Sequence, residues 1–220
     1  MSDIQRNKTR LTGILYLLVI ICAGFSQGYV RGSLVVFGDA AETIENISSA
    51  LGLFRVGLAT DLVAFLLDVA ISVLLYQLLK SVNQTLAMVS SAFRLIAHPA
   101  IGSLNLLNHY MVLEVLGGNM DPVQQEIWTM LFLNAHNYGY LLAGAFFGVH
   151  CFLLGILLYR SHLFSSVFGI LMMVASLGYL LESFGDFLYP GNEYLLANVV
   201  GFTAGIAEVS FTIYLLIKKE

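Results

Sequence analysis

Charge is scarce in this sequence. Only 11% of its 220 residues are Asp, Glu, Lys or Arg, against roughly 25% in an ordinary soluble domain. That shortage excludes a water-soluble domain, and intrinsic disorder, collagen and coiled coil fall with it. Cysteine is scarce too: Cys22 and Cys151 both sit inside apolar runs, where free thiols behave as small hydrophobes, and two such residues do not make a disulfide framework. Positive charge does not predominate. The net charge of −4 argues against nucleic acid as a partner, which calls for a basic face. The first apolar run lacks a small-x-small cleavage site, and Val19-Ile20-Ile21 before Cys22 is not a lipoprotein pattern, so this run reads as a membrane anchor. Low-complexity segments and a visible three-plus-three inverted repeat are missing as well.

What is abundant is apolar: 58% of the residues are hydrophobic, and mean hydropathy is +0.83. A helix needs about 20 apolar residues to cross the hydrocarbon. Six runs meet that length: Leu11–Val30, Leu53–Leu79, Thr85–Val115, Leu133–Tyr159, Ser165–Leu188 and Tyr194–Ile217. Ser81-Val82-Asn83 and Ser161-His162 read as tight turns on one side. Gly117-Gly118-Asn119 and Pro190-Gly191-Asn192 break the chain on the other. The longest connection, Arg31 to about Gly52, is acidic, and an amphipathic stretch lies between Asp121 and Trp128. The expected architecture is an all-α integral membrane protein, a single bundle of six transmembrane helices occupying 1–220 as one domain, with the lipid bilayer as its surroundings.

Orientation follows from the basic residues. Arg6, Lys8, Arg10, Lys80, Arg160, Lys218 and Lys219 collect at one set of helix ends; the other set has Arg31 alone, with Arg55 and Arg94 inside helices. The positive-inside rule then places both termini in the cytoplasm. Asp39, Glu42, Glu45, Asp121, Glu126 and Glu193 fall outside.

Seven short motifs occur in order: Gly28-Tyr29-Val30-Arg31, Gly38-Asp39-Ala40, Leu53-Phe54-Arg55, Asp61-Leu62, Asn105-Leu106-Leu107-Asn108, His136-Asn137-Tyr138-Gly139-Tyr140 and Tyr159-Arg160-Ser161. Together they resemble a bacterial family of six-span membrane proteins known only as a domain of unknown function, family number four-three-eight-six. The resemblance covers nearly the whole chain. It implies a prokaryotic cytoplasmic-membrane protein and brings no established activity. One departure is visible: similar proteins carry a proline soon after the Tyr-Arg-Ser, where this chain has Phe164-Ser165-Ser166.

Ionisable side chains in the hydrocarbon cost at least roughly 2.5–3.5 kcal/mol on insertion scales, so they pair, line a cavity or lie near an interface. Counting from the turns at about 1.5 Å per residue puts Asp68 and Arg94 level near the midplane. Two readings stand: a buried ion pair that fixes helix register, or a proton or ion relay. His150 and Glu208 reach similar depth. Nearer the outside, Asp61 and Glu182 share a height, with Arg55 and His136 further out and His109 and Asp186 close by. Arg94, His98, Asn105 and His109 form one helical stripe; His136, Tyr140 and His150 nearly align on another. Turned toward one another, these faces make an outward-opening polar pocket, with Arg55, Asp61, Asn105, His136, Tyr140 and Glu182 as the ligand-binding set. The alternative is a hydrogen-bonded structural core.

No cofactor is expected. Zinc would need His109, His136, Glu182 and Asp186 from three helices, without any His-x3-His spacing. Haem would need His98 and His150 to face each other across the bundle. A Gly-x-Ser-x-Gly elbow, phosphate loops and dinucleotide fingerprints are absent. Pro99 is expected to kink the third helix, and Gly144, Gly148, Gly155, Gly201 and Gly205 to serve close helix packing. Three function classes follow: binding or transport of a small polar or amphipathic molecule, a membrane-embedded enzyme using His136 with Asp61 or Glu182, and a structural or interaction protein.

Overall fold

The apolar runs form long helices whose ends are set by side-chain caps and small turns. The computed structural model describes residues 3–36 and 38–218; Lys219, counted above among the basic residues of one side, lies outside the described residues. Helix α1 spans Asp3–Leu34, α2 is the short helix Ala40–Ser49, and α3 is Leu51–Leu79. A fourth helical rod, α4, covers 84–117 as three contiguous segments, Gln84–Leu95, Ile96–Gly102 and Ser103–Gly117. Then come α5 (Pro122–Arg160), α6 (Ser166–Leu188) and α7 (Glu193–Ile217).

Five helices among the described residues, α1, α3, α5, α6 and α7, are long and apolar enough to cross a membrane. The α4 rod has the length but carries Arg94, His98, Asn105 and His109, which dilute its apolar character. The protein is a polytopic helical membrane protein. Each long rod packs against the next in chain order, and α7 returns to α1, so the six close into a ring.

Three boundaries differ from the sequence reading, each for a local reason. The first helix starts well before Leu11, because the polar residues 3–10 continue the helix beyond its apolar part. The Arg31–Gly52 connection is not irregular throughout: Asp39 Oδ1 accepts from the Glu42 amide at 2.9 Å and starts α2 there. The 121–128 stretch belongs to α5, where Asp121 Oδ1 accepts from the amides of Val123 and Gln124, both at 3.1 Å, and Pro122 takes the first helical position. At 39 residues, α5 is about 58 Å long, well beyond the roughly 30 Å of hydrocarbon.

Two rods contain π-helical turns. In α4 they cover Ile96–Gly102 and enclose Pro99. Proline has no amide proton and its ring crowds the carbonyl four residues back, so the ladder widens there. In α1 they cover Gly24–Arg31, where Gly24 and Gly28 weaken ordinary α-winding.

Apolar cores occupy both ends of the ring. Tyr16, Leu154, Leu158, Phe164, Phe211 and Leu215 belong to one, and Val30, Ile47, Phe54, Val112 and Leu133 to the other. Glycines bring α5 and α6 together. A Cβ on Gly155 would lie 2.7 Å from the Gly169 carbonyl oxygen, so any larger residue there forces the helices apart. Gly201 and Gly205 do not pack in this way: both face open space.

Candidate functional site

Between the two apolar cores the rods turn polar groups toward one another, at two levels. The deeper level is centred on Arg94, which is 1% exposed. Its Nη2 donates to Asp68 Oδ1 at 2.5 Å, and its Nη1 donates to the Tyr16 hydroxyl at 2.7 Å and to His150 Nε2 at 3.2 Å. The guanidinium also lies over the rings of Tyr16 and Phe147, 4.7 Å and 5.1 Å from their centroids. His98 Nδ1, brought in by the π turns of α4, meets the other carboxylate oxygen of Asp68 at 3.0 Å.

This pattern fixes the state of His150. Arginine only donates, so Nε2 must accept; the ring proton is then on Nδ1, which lies 2.9 Å from the Ser90 carbonyl oxygen. Both ring nitrogens of His150 are thus taken by protein partners, which leaves neither for an iron opposite His98. Glu208 stands at the edge of this level and accepts from the Tyr179 hydroxyl at 2.7 Å.

The second level is built around Asp61 and His136, both 0% exposed. Gln27 Nε2 donates to Asp61 Oδ2 at 2.5 Å, and Ser26 and Tyr140 lie beside that carboxylate. Arg31 Nη1 donates to His136 Nδ1 at 2.9 Å, which leaves the proton of that ring on Nε2. Asn105 Nδ2 donates to the His136 carbonyl at 2.7 Å. His109 meets the His136 ring edge to face, 5.3 Å between centroids, and its Nε2 donates to the Phe54 carbonyl at 3.2 Å. His136 Nε2 and His109 Nδ1 are buried with no hydrogen-bond partner among the described residues.

Of the expected ligand-binding set, the structure brings Asp61, Asn105, His136 and Tyr140 together. Arg55 does not join them. It is exposed on α3, because Phe54 rather than Arg55 occupies the inward face at that turn, under His109. The guanidinium of this level is Arg31, which continues α1 by way of the π turns and forms no ion pair among the described residues. Glu182 stands apart from Asp61, on the wall of a cavity.

That cavity, about 460 Å³, is lined by α1, α4, α5, α6 and α7 with Asp68 of α3 and falls within the range of small-molecule sites. Its polar lining comes from Asp68, Arg94 and His98 at the deeper level, Gln27 and Tyr140 at the other, and Asn137, Glu182 and Glu208 along the wall. The remainder is largely apolar, with Val19, Ile20 and Ala23 of α1 opposite Val200, Gly201, Ala204 and Gly205 of α7. Helices α1 and α7 meet at one end, where Tyr16 and Phe211 pack edge to face and Gly13 lies under Leu215. Further along, the exposed Gly201 and Gly205 leave the cavity open at the side of the ring.

Metal chemistry finds no ligand set here: among the described residues no three His, Cys, Asp or Glu side chains come close enough to hold an ion. The sequence does not mark Tyr16 or Gln27 as site residues, and it marks Arg31 only as the lone basic residue of the outer side and as part of a motif. The first two are isolated polar tips in an apolar run, and Arg31 reads as a loop residue unless the helix is known to continue.

Residues 11–218 match the family model described as Domain of unknown function (DUF4386). An "Uncharacterized protein" of Archaeoglobus fulgidus is 29% identical over 172 residues, covering 78% of this chain and 84% of that protein. Its source is an archaeon, whereas the resemblance of the motifs implied a bacterial family. No solved structure matches the chain.

Proposed function

The chain belongs to the family described as Domain of unknown function (DUF4386), and for this member we propose binding, and passage across the bilayer, of a small amphipathic molecule. The observation that carries the reading is the cavity itself. It combines an apolar lining, a lateral opening beside Gly201 and Gly205, and polar groups held at its two ends. An amphipathic molecule matches that distribution: its apolar part lies between α1 and α7, and its polar part meets Gln27, Tyr140, Asn137 and Glu182. The Asp68–Arg94–His150 network closes the deeper end with side chains already hydrogen-bonded to one another.

The reading includes the membrane setting. We propose that α4 is a sixth span, so that one domain of six helices crosses a prokaryotic cytoplasmic membrane with both termini inside. The closed ring supports this, since α4 lies between α3 and α5 as the other rods lie between their neighbours. The excess of Lys and Arg at one set of helix ends supports the orientation.

Thermal unfolding of the full chain in phospholipid nanodiscs tests the binding reading, with 1-octanol as probe. A ligand that binds only the folded state raises apparent stability. The wild type should be stabilised by octanol relative to Gly205→Leu, whose side chain fills the open part of the cavity. Equal responses in the two proteins would overturn the reading.

A further inference from the structure

A second cavity, also about 460 Å³, adjoins the first at its outer end. Asn137, Leu141 and Glu182 line both, so the two share a wall. The second adds Asp186, Glu193 and Tyr194. Its lining includes three carboxyl groups and neither lysine nor arginine.

One of these carboxyl groups, that of Asp186, lacks the partners that buried acids ordinarily have, and a second, that of the half-buried Glu182, stands one helical turn away. Asp186 is 7% exposed, and its Oδ1 has no hydrogen-bond partner among the described residues. Glu182 makes no ion pair among them either. Glu193 differs, since its Oε1 accepts from the Gly191 amide at 2.7 Å and complements the start of α7. The unsatisfied demand is therefore for a donor or a positive charge at Asp186, beside the unpaired carboxyl of Glu182.

A bare metal ion does not meet that demand, because it requires several ligands converging on one point and no such group of three exists among the described residues. An organic cation does. It presents its charge over a larger volume, donates to carboxylates at separate positions, and its ammonium is attracted to an aromatic face such as that of Tyr194.

We infer that this vestibule admits an organic ammonium, and that the amphipathic ligand of the larger cavity carries a positively charged nitrogen head. The inference rests on the reading of that cavity as a binding site. Glu182, common to both cavities, hands the head from Asp186 inward, and Glu208 is the next carboxyl on the wall of the larger cavity. The apolar tail then lies where α1 and α7 diverge.

The test compares octylammonium, 1-octanol and octanoate on the full chain in nanodiscs of zwitterionic lipid, corrected for uptake by empty discs. Octylammonium should bind about tenfold more tightly than octanol, the scale of one charge-assisted hydrogen bond, and octanoate more weakly than both. Asp186→Asn and Glu182→Gln should each lower the amine-to-alcohol affinity ratio. Asn137→Lys, which puts a cation on the shared wall, should reverse the order in favour of octanoate and serves as the readout if a carboxyl variant does not fold. A ratio near one in the wild type, or one that none of the three substitutions moves, overturns the inference. The cavity reading survives that result provided octanol stabilisation still depends on Gly205. If no probe distinguishes Gly205→Leu from wild type, both fall together.

Discussion

Asp68 and Arg94 form an ion pair at 2.5 Å with each residue only 1% exposed, and neither is held by the other alone. His98 takes the second oxygen of the carboxylate, and Tyr16 and His150 take the other donors of the guanidinium. Helices α1, α3, α4 and α5 are thereby tied together at one depth.

Removing one partner leaves a charge buried without compensation. Asp68→Asn or Arg94→Leu alone should cost about 3–5 kcal/mol, and the double variant should recover much of the loss. Denaturant unfolding in mixed micelles measures the cycle. Arg94→Leu should be the worse single change, because it also strips Tyr16 and His150 of their donor. Strictly additive losses would show that the pair does not act as a unit.

Gly139 offers a steric counterpart at the second level. A Cβ there would fall on the carboxamide of Asn105, which donates to the His136 carbonyl and accepts from Asn108. Gly139→Ala should therefore cost about 1–3 kcal/mol. Asn105→Ala removes the offending atoms, so Gly139→Ala made in that background should cost much less. A full penalty in both backgrounds would mean that Asn105 is not what Gly139 accommodates.

The two outer arginines should behave oppositely. Arg31→Met leaves His136 Nδ1 without its donor and should cost about 1–3 kcal/mol. Arg55→Gln changes an exposed side chain and should stay within about 0.5 kcal/mol. Melting temperatures of the two variants side by side decide the matter, and equal losses would contradict the assignment.

Topology is tested by reporters inserted in the short connections. A cytoplasmic reporter should be active at Ser81-Val82-Asn83 and Ser161-His162. An exported one should be active at Asp39, Gly118-Asn119 and Gly191-Asn192. An exported signal at Val82 would overturn the orientation, and reporters at Val82 and Gly118 active on the same side would overturn the sixth span.

Helix positions were legible in the sequence because twenty consecutive apolar residues have few alternatives, and height can be counted from a tight turn along a straight rod. Asp68 and Arg94 lie on stretches where such counting works, since only α-winding separates them from the turn at Val82. Direction is harder. Counting gives Asp61 and Glu182 one height, yet Asp61 bonds Gln27 and Glu182 lines the cavities, because a count along the rod does not fix where around the ring each helix points. Arg31 was out of reach for another reason: the Gly-rich segment before it suggests the end of a helix, and only the widened turns carry the rod on to Leu34. The open faces of Gly201 and Gly205 are similarly illegible, since small residues look alike in sequence whether a neighbour touches them or not.

The π turns of α1 and α4 have a consequence for the phase of each rod. On α1 they follow Tyr16 of the deeper level and carry Gln27 and Arg31 of the outer one; on α4 they follow Arg94, carry His98 of the deeper level and precede Asn105 and His109 of the outer one. A π turn is an α-helix holding a surplus residue, and each residue of an α-helix turns it by roughly 100°. Deleting Ala100, which follows His98 in these turns, would restore regular winding and swing Asn105 and His109 away from His136, with Arg94 and His98 left in place. The surplus residues are the angular offset between two clusters on a single shaft, and shortening the chain there would separate the clusters without altering any side chain in either.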